Sequence, residues 1–300
     1  MLPNFIIAGG VATGTSFLSV ALRHHPDIYL PKVERPEPNF FHYSWKFKRG
    51  IDWYQETWFH GVGTQRAVGE RSSLLLTSDV AAKRIKETLP DVKLVFCLRN
   101  PIERAWGNYR FTVLEGLEPL SFDEAIRCEP DRIRRAADEW AEVQPHAYLT
   151  RSRYSTHIYE FLTLFGEERV LLLKSEALGR EPLGAIKRVC EFLDVDPNLS
   201  LPLSPNYSSP SILDRAMQMQ LRQHFGDRFP ELVECIRREE DVSDLIVAAN
   251  DAENIDRLRA NLRGGKEPLP EATRNTLRQI FADEITCVKS LVDFPVDDWM

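Results

Sequence analysis

The residues best able to do chemistry fall at four places along the chain. In Phe5-Ile-Ile-Ala-Gly-Gly-Val-Ala-Thr-Gly-Thr-Ser-Phe-Leu18, Gly9, Gly10 and Gly14 loosen the backbone where Thr13, Thr15 and Ser16 supply hydroxyls. Backbone N–H groups of such a turn, followed by the positive end of a helix, gather around one point and suit a phosphate. A plain structural turn is the competing reading, because Thr15 follows Gly14 where the Walker A lysine should stand. Further on, Arg35, Glu37 and His42 lie in a segment whose Pro36 and Pro38 remove two donors and restrict their predecessors. Either this is a surface connection pinned by Phe40 and Phe41, or a stiff loop aims the three polar residues into a cleft. Glu70 and Arg99 each end a short apolar run, which places both for a shared site at the carboxyl ends of strands. Local ion pairs, such as Glu70 with Arg71, are the alternative. Last, Leu262-Arg-Gly-Gly-Lys266 is a basic glycine loop, read as a linker or as a phosphate-touching loop.

These groups need elements to position them. Phe5–Ala8 reads as a buried strand and Phe17–Leu22 as a helix. A short strand follows His24–Asp27, and the aromatics at 53, 54, 58 and 59 form a helical stripe of the kind that fills a core. Ala67–Glu70 reads as a strand ending at Glu70; helix Val80–Leu89 leads to strand Val92–Leu98, which ends at Arg99. Helix Ile102–Phe111 follows, with Pro101 at a favoured first-turn position. Arg127–Gln144 reads as one charged helix and Tyr154–Phe165 as an amphipathic one, then strand Arg169–Lys174 and helix Pro182–Leu193. This is an α/β alternation with a mainly parallel sheet, and ligands of such sheets gather at the carboxyl ends of strands. Beyond Pro205 the pattern is helical. There Leu221-Arg-Gln-His-Phe-Gly-Asp227 echoes Leu277-Arg-Gln-Ile-Phe-Ala-Asp283, and Val242-Ser-Asp-Leu echoes Val296-Asp-Asp-Trp.

Composition excludes several classes. The 300 residues can bury a sizeable core, and 43% hydrophobic with 28% charged residues is ordinary for a globular protein. A net charge of −7 argues against a general nucleic-acid partner. No run approaches a membrane span, and the N-terminal segment lacks the form of a signal peptide. The five cysteines are scattered without a C-x-x-C pair, so neither a disulfide frame nor a zinc site is expected. The expectation is a cytoplasmic, metal-free protein of unstated oligomeric state.

Taken in order, Gly50-Ile-Asp-Trp-Tyr54, Gly69-Glu-Arg-Ser72 and Arg99-Asn-Pro-Ile-Glu-Arg-Ala105, with His25-Pro-Asp-Ile-Tyr-Leu-Pro31 and Glu37-Pro-Asn-Phe-Phe41, carry a resemblance. They are similar to the sulfotransferases that use 3′-phosphoadenosine-5′-phosphosulfate (PAPS), in particular the heparan-sulfate-type and bacterial branches. The likeness spans roughly residues 5–197 and resumes near 261–300. It implies a P-loop-NTPase-like three-layer fold over one domain: a nucleotide-binding core to 197, a helical acceptor-side insertion over 198–260, and a closing loop and helix over 261–300.

The resemblance also implies roles. Ala12, Thr13, Gly14, Thr15, Ser16 and Phe17 would surround the 5′-phosphosulfate. Arg99 would hold the 3′-phosphate, with Arg263, Gly264, Gly265 and Lys266 closing over it and Tyr154 lining the nucleotide site. Glu70 would take the acceptor proton, with Glu37 and His42 behind it, in an in-line displacement where positioning and electrostatics do most of the work. The acceptor would be a small molecule, a natural product or sugar. Two departures stand out: Ala12 replaces a loop lysine or arginine, and Gly107 replaces a serine. The missing cation is expected from Arg35, with Arg71, His42 and Lys46 as alternatives. A small-molecule kinase and a catalytically impaired nucleotide-binding module are the rival readings.

Overall fold

Five short apolar runs pair side by side into one parallel sheet: β1 (Phe5–Gly9), β2 (Ile28–Tyr29), β3 (Ala67–Ser72), β4 (Lys93–Leu98) and β5 (Val170–Lys174). In this computed structural model the described residues are 1–32, 36–137, 140–199, 201–203, 210–262 and 267–300. The strand order is β2-β3-β1-β4-β5, with Ile6 opposite Glu70 on one side and Leu94 on the other. A parallel sheet must cover both faces, and the strand period of two divides its side chains between them. Phe5, Ile7, Val95 and Cys97 join a core with Leu18 and Leu22 of helix Thr15–Leu22 and Val189 of helix Pro182–Phe192. Facing the other way, Phe96 meets Phe161 of helix Ser155–Phe165, with ring centroids 4.7 Å apart.

Two compact units divide the chain, and neither is continuous in sequence. The first holds Met1–Arg104, Thr150–Tyr207 and Leu277–Met300, and so contains the whole sheet; the second holds Ala105–Leu149 and Ser208–Thr276. Within the first, the C-terminal stretch is tied to strand ends. Lys174 donates to the Pro295 carbonyl at 2.8 Å, and Asn100 donates to the Trp299 carbonyl at 3.2 Å. Within the second, Leu221, Phe225, Phe229, Leu232, Ile255 and Leu258 share an apolar cluster.

Two sequence expectations change. The charged helix runs over Phe122–Arg135 rather than 127–144, and a short turn of helix follows at Trp140–Val143. Its start is set by a capping box in which Ser121 and Glu124 satisfy each other's backbone N–H groups, and it stops where Ala136 turns extended. Strand β3 continues two residues past Glu70, because Ile7 and Ala8 of β1 pair with Arg71 and Ser72. The echoed segments do share a form. The first pair is helical, and the second pair gives the 3₁₀ turns Ser243–Leu245 and Asp297–Trp299.

The sheet interior constrains substitution. A Cβ on Gly69 would lie 2.3 Å from the Phe5 ring of the neighbouring strand, whereas one on Gly184 meets nothing within 4 Å. Gly69→Ala should therefore destabilise by about 1–3 kcal/mol, as overpacking does. Gly184→Ala should stabilise by about 0.5–1 kcal/mol through a less flexible unfolded chain. Urea unfolding midpoints of the two variants should move in opposite directions.

Candidate active site

The turn after β1 is closed by hydrogen bonds to its own carbonyls. Ala12 and Gly14 both take left-handed conformations, at φ 69° and 91°. Glycine adopts this freely, whereas alanine does so at some cost. The strain at Ala12 is held in place by Arg99, whose Nη1 donates to the Ala12 carbonyl at 2.7 Å. Thr13 is fully buried, and its hydroxyl is spent inside the turn, donating to the Gly10 carbonyl at 2.8 Å and accepting from Gly10 N at 3.2 Å. Ser175 Oγ donates to the Thr13 carbonyl at 2.7 Å. Thr15 and Ser16 then lie in the first turn of the helix, the end that carries its positive dipole.

Arg99 follows β4 and is itself braced. The buried Tyr154 hydroxyl donates to the Arg99 carbonyl, and Glu103 lies 3.7 Å from the guanidinium. Glu284, from the C-terminal helix, accepts from Tyr154 N at 2.8 Å and Ser155 N at 2.7 Å, capping helix Ser155–Phe165 with a negative charge. Tyr154 thus buttresses the Arg99 backbone from a fully buried position rather than lining an open surface.

Glu37 is aimed from the proline loop. Phe40 and Phe41 are buried and pack on Tyr54, with Phe40 stacked at 4.4 Å. Arg84 ties down the far end through the carbonyls of Phe41 and His42 at 3.1 and 3.2 Å. With the loop pinned, Glu37 Oε1 pairs with Arg71, and Oε2 accepts from Ser73 N at 2.7 Å and Asn39 Nδ2 at 3.2 Å. The same Arg71 Nη1 donates to Ser16 Oγ at 3.0 Å, so one guanidinium joins the carboxylate to the first turn of helix Thr15–Leu22. Ser19, Arg23, Glu37 and Arg71 line a small pocket there, with room for about one water molecule. His42 is buried with its ring edge-on to Tyr43, at 4.9 Å between centroids.

Glu70 lies elsewhere. Alternate strand residues face opposite ways, so the two added residues of β3 present Arg71 to the turn and send Glu70 into the interior, where it is fully buried. Ser72 Oγ donates to its Oε1 at 2.8 Å. The Tyr54 hydroxyl interacts with the carboxyl from α-helical Gly50–Trp58, yet neither it nor Oε2 completes a hydrogen bond of standard geometry. Burial pushes the Glu70 carboxyl up to about 7, against the opposing pull of Tyr54, Ser72 and Lys46. Burial likewise pushes the Lys46 ammonium down to about 8, opposed by Glu70 and Glu37. Lys46 donates to the carbonyls of Glu37 at 2.9 Å and Pro38 at 2.6 Å.

The structure therefore brings together the turn, Arg99, Tyr154 and Glu37, and withdraws Glu70 behind them. Arg35 and the loop Arg263, Gly264, Gly265 and Lys266 lie outside the described residues. Asn39, Ser72 and the Ser73 backbone were missed by sequence reasoning. The one available signal was asparagine directly after Pro-x-Pro, a residue that tolerates the φ of 40° found at Asn39. Among the described residues no cluster of His, Cys, Asp and Glu could hold a metal, and no helix is long and apolar enough to cross a membrane.

A central parallel sheet flanked by helices, with a glycine- and hydroxyl-rich turn leading from the first strand into a helix, defines a P-loop-like nucleotide-binding protein. The chain belongs to the sulfotransferase domain family, whose model matches residues 2–223. A crystal structure of a sulfotransferase from Alicyclobacillus acidocaldarius superposes with a TM-score of 0.62 at 28% identity, over 82% of this chain and 99% of that one. The bifunctional heparan sulfate N-deacetylase/N-sulfotransferase 1 of Xenopus laevis is 27% identical over 242 residues, covering 77% of this chain and 27% of that protein. Its Mus musculus counterpart is 30% identical over 200 residues, covering 64% and 22%. The chain thus spans about a quarter of the length of these curated relatives.

The buried Glu70 has a consequence for stability. Its folded value of about 7 lies above the ordinary 4.5, so between those pH values the folded state binds more protons than the unfolded one. Stability from this group is then lost as pH rises from roughly 4.5 to 7, by on the order of 3 kcal/mol. Glu70→Gln removes that loss, so urea melts should find it more stable than wild type at pH 8 and similar at pH 5.

Proposed function

We propose that this chain transfers the sulfuryl group of PAPS to a hydroxyl or amine of a small acceptor, a natural product or sugar. The family supports the reaction class, and the position of Arg71 between Ser16 and Glu37 carries the reading. In the transfer, the acceptor's oxygen or nitrogen bonds to sulfur as the bond from sulfur to the 5′-phosphate oxygen breaks. The acceptor's proton goes to a base, and charge accumulates on the departing phosphate.

The turn fits a phosphate: it leads directly into a helix start, and Arg71 lies against Ser16 there. Arg71 supplies the cation that Ala12 cannot, in place of the sequence-favoured Arg35. Glu37 takes the base role ahead of Glu70, because a fully buried carboxyl cannot reach an acceptor while the Glu37 side chain is 14% exposed. Arg99, which follows β4 at the same end of the sheet, holds the 3′-phosphate. Catalysis on this account is electrostatic and positional, and one guanidinium coordinates the base with the leaving group.

Calorimetric titration with adenosine 3′,5′-bisphosphate, against ATP plus magnesium, tests the nucleotide. Binding of the bisphosphate alone is expected; binding of ATP alone would favour a kinase, and binding without transfer an impaired module. Glu37→Gln should lower kcat by ~10²–10⁴ while leaving bisphosphate affinity within a fewfold. Arg71→Met should lower kcat by ~10²–10³, with partial recovery in Arg71→Lys. Full activity in either Glu37→Gln or Arg71→Met would remove that residue from the mechanism.

A further inference from the structure

The Glu70 carboxyl takes no part in the transfer described above, yet it ends a continuous set of contacts that begins at Glu37. Ser72 Oγ donates to Glu70 Oε1 at 2.8 Å and accepts from Asn39 N at 2.9 Å. Asn39 in turn donates through Nδ2 to Glu37 Oε2 at 3.2 Å and accepts from Leu74 N at 3.2 Å. A second route runs through Lys46, whose ammonium grips the Glu37 and Pro38 carbonyls and faces Glu70 as a charge. Glu70 Oε2 is fully buried, and its one neighbouring donor, the Tyr54 hydroxyl, reaches the carboxyl without standard hydrogen-bond geometry. A buried polar atom left in that state costs about 1–3 kcal/mol and calls for an explanation.

We propose that Glu70 is a positioning residue: ionised, it holds Glu37 in its catalytic orientation through Ser72, Asn39 and Lys46, and protonated, it releases that hold. The inference rests on Glu37 being the proton acceptor of the transfer. An ionised carboxylate accepts only, so it fixes the Ser72 hydroxyl as a donor and leaves the Ser72 oxygen for Asn39 N. Such charge-assisted bonds are roughly twice as strong as neutral ones. Protonated, the acid can itself donate to the same Ser72 oxygen, in competition with Asn39, and Lys46 loses a counter-charge. Among the described residues, four polar groups act on Glu70. Tyr54 comes from helix Gly50–Trp58, Lys46 from the short helix Ser44–Phe47, Ser72 from its own strand, and Glu37 from the loop; β1 contributes only apolar residues. Tyr54 is pushed well above its ordinary value by burial and by Glu70, so it stays neutral. With the Glu70 midpoint at about 7, the grip strengthens as pH rises through neutrality.

Amide hydrogen exchange on the full chain tests this without an acceptor. The reporters are Asn39 N, which donates to Ser72, and Ser73 N, which donates to Glu37. In wild type their protection, corrected for intrinsic exchange, should rise about three- to tenfold between pH 6 and 8. Glu70→Gln should stay flat at the low-pH level, although its global stability at pH 8 rises. A merely structural role would move both quantities together. Ser72→Ala, which removes only a hydroxyl, should be weakly protected at every pH. Indistinguishable profiles for wild type and Glu70→Gln would overturn the proposal. A fully active Glu37→Gln would instead strike the transfer reading, and the exchange profiles would still decide whether Glu70 governs the loop.

Discussion

Arg71 is the constraint on which the site depends. Its guanidinium leaves β3 near the end of that strand and meets a serine on one side and a carboxylate on the other. Both partners come from segments that could not hold themselves in place. The serine belongs to the first turn of a helix, and the carboxylate to a proline loop without regular structure. A planar fork with several fixed donors can serve both at once, which a single ammonium does less well. The geometry follows from topology: β1 and β3 are neighbours, so the turn after one and the end of the other open at the same edge.

Behind that fork the molecule keeps an expensive arrangement. Lys46 and Glu70 are both buried, and burial drives their titration toward each other, one down to about 8 and the other up to about 7. An apolar pair of similar volume would in general be at least as stable. What the charged pair supplies is direction. Lys46 holds two consecutive carbonyls of the loop, and Glu70 orders Ser72 beneath Asn39. The loop that carries Glu37 is therefore fixed from above by aromatic packing and from below by polar contacts, leaving the carboxylate little freedom.

The turn shows the same economy of parts. Arg99 accommodates the left-handed Ala12 by taking its carbonyl, while Tyr154 and Glu284 hold Arg99 and its neighbouring helix start. A residue from near the C-terminus thus sets the backbone of a residue after the fourth strand. Thr13, which resembles a ligand-facing hydroxyl in the sequence, is consumed in closing the turn.

Much of this was legible in one dimension. Apolar runs bounded by glycine and proline located the strands, and the glycine-hydroxyl stretch marked the turn from β1 into its helix, because strand period and left-handed φ act within a few residues. Ser121 and Glu124 carried the helix start at 122, although the charge pattern alone suggested a later one. The roles of Glu70 and Arg71 were beyond the sequence. Which of two adjacent residues faces the turn depends on where β3 ends, and that end is set by pairing with Ile7 and Ala8 some sixty residues away. Because strand side chains alternate, that registration sent Arg71 to the turn and Glu70 into the core. Local sequence determined the elements; only the sheet decided which side chains they would present.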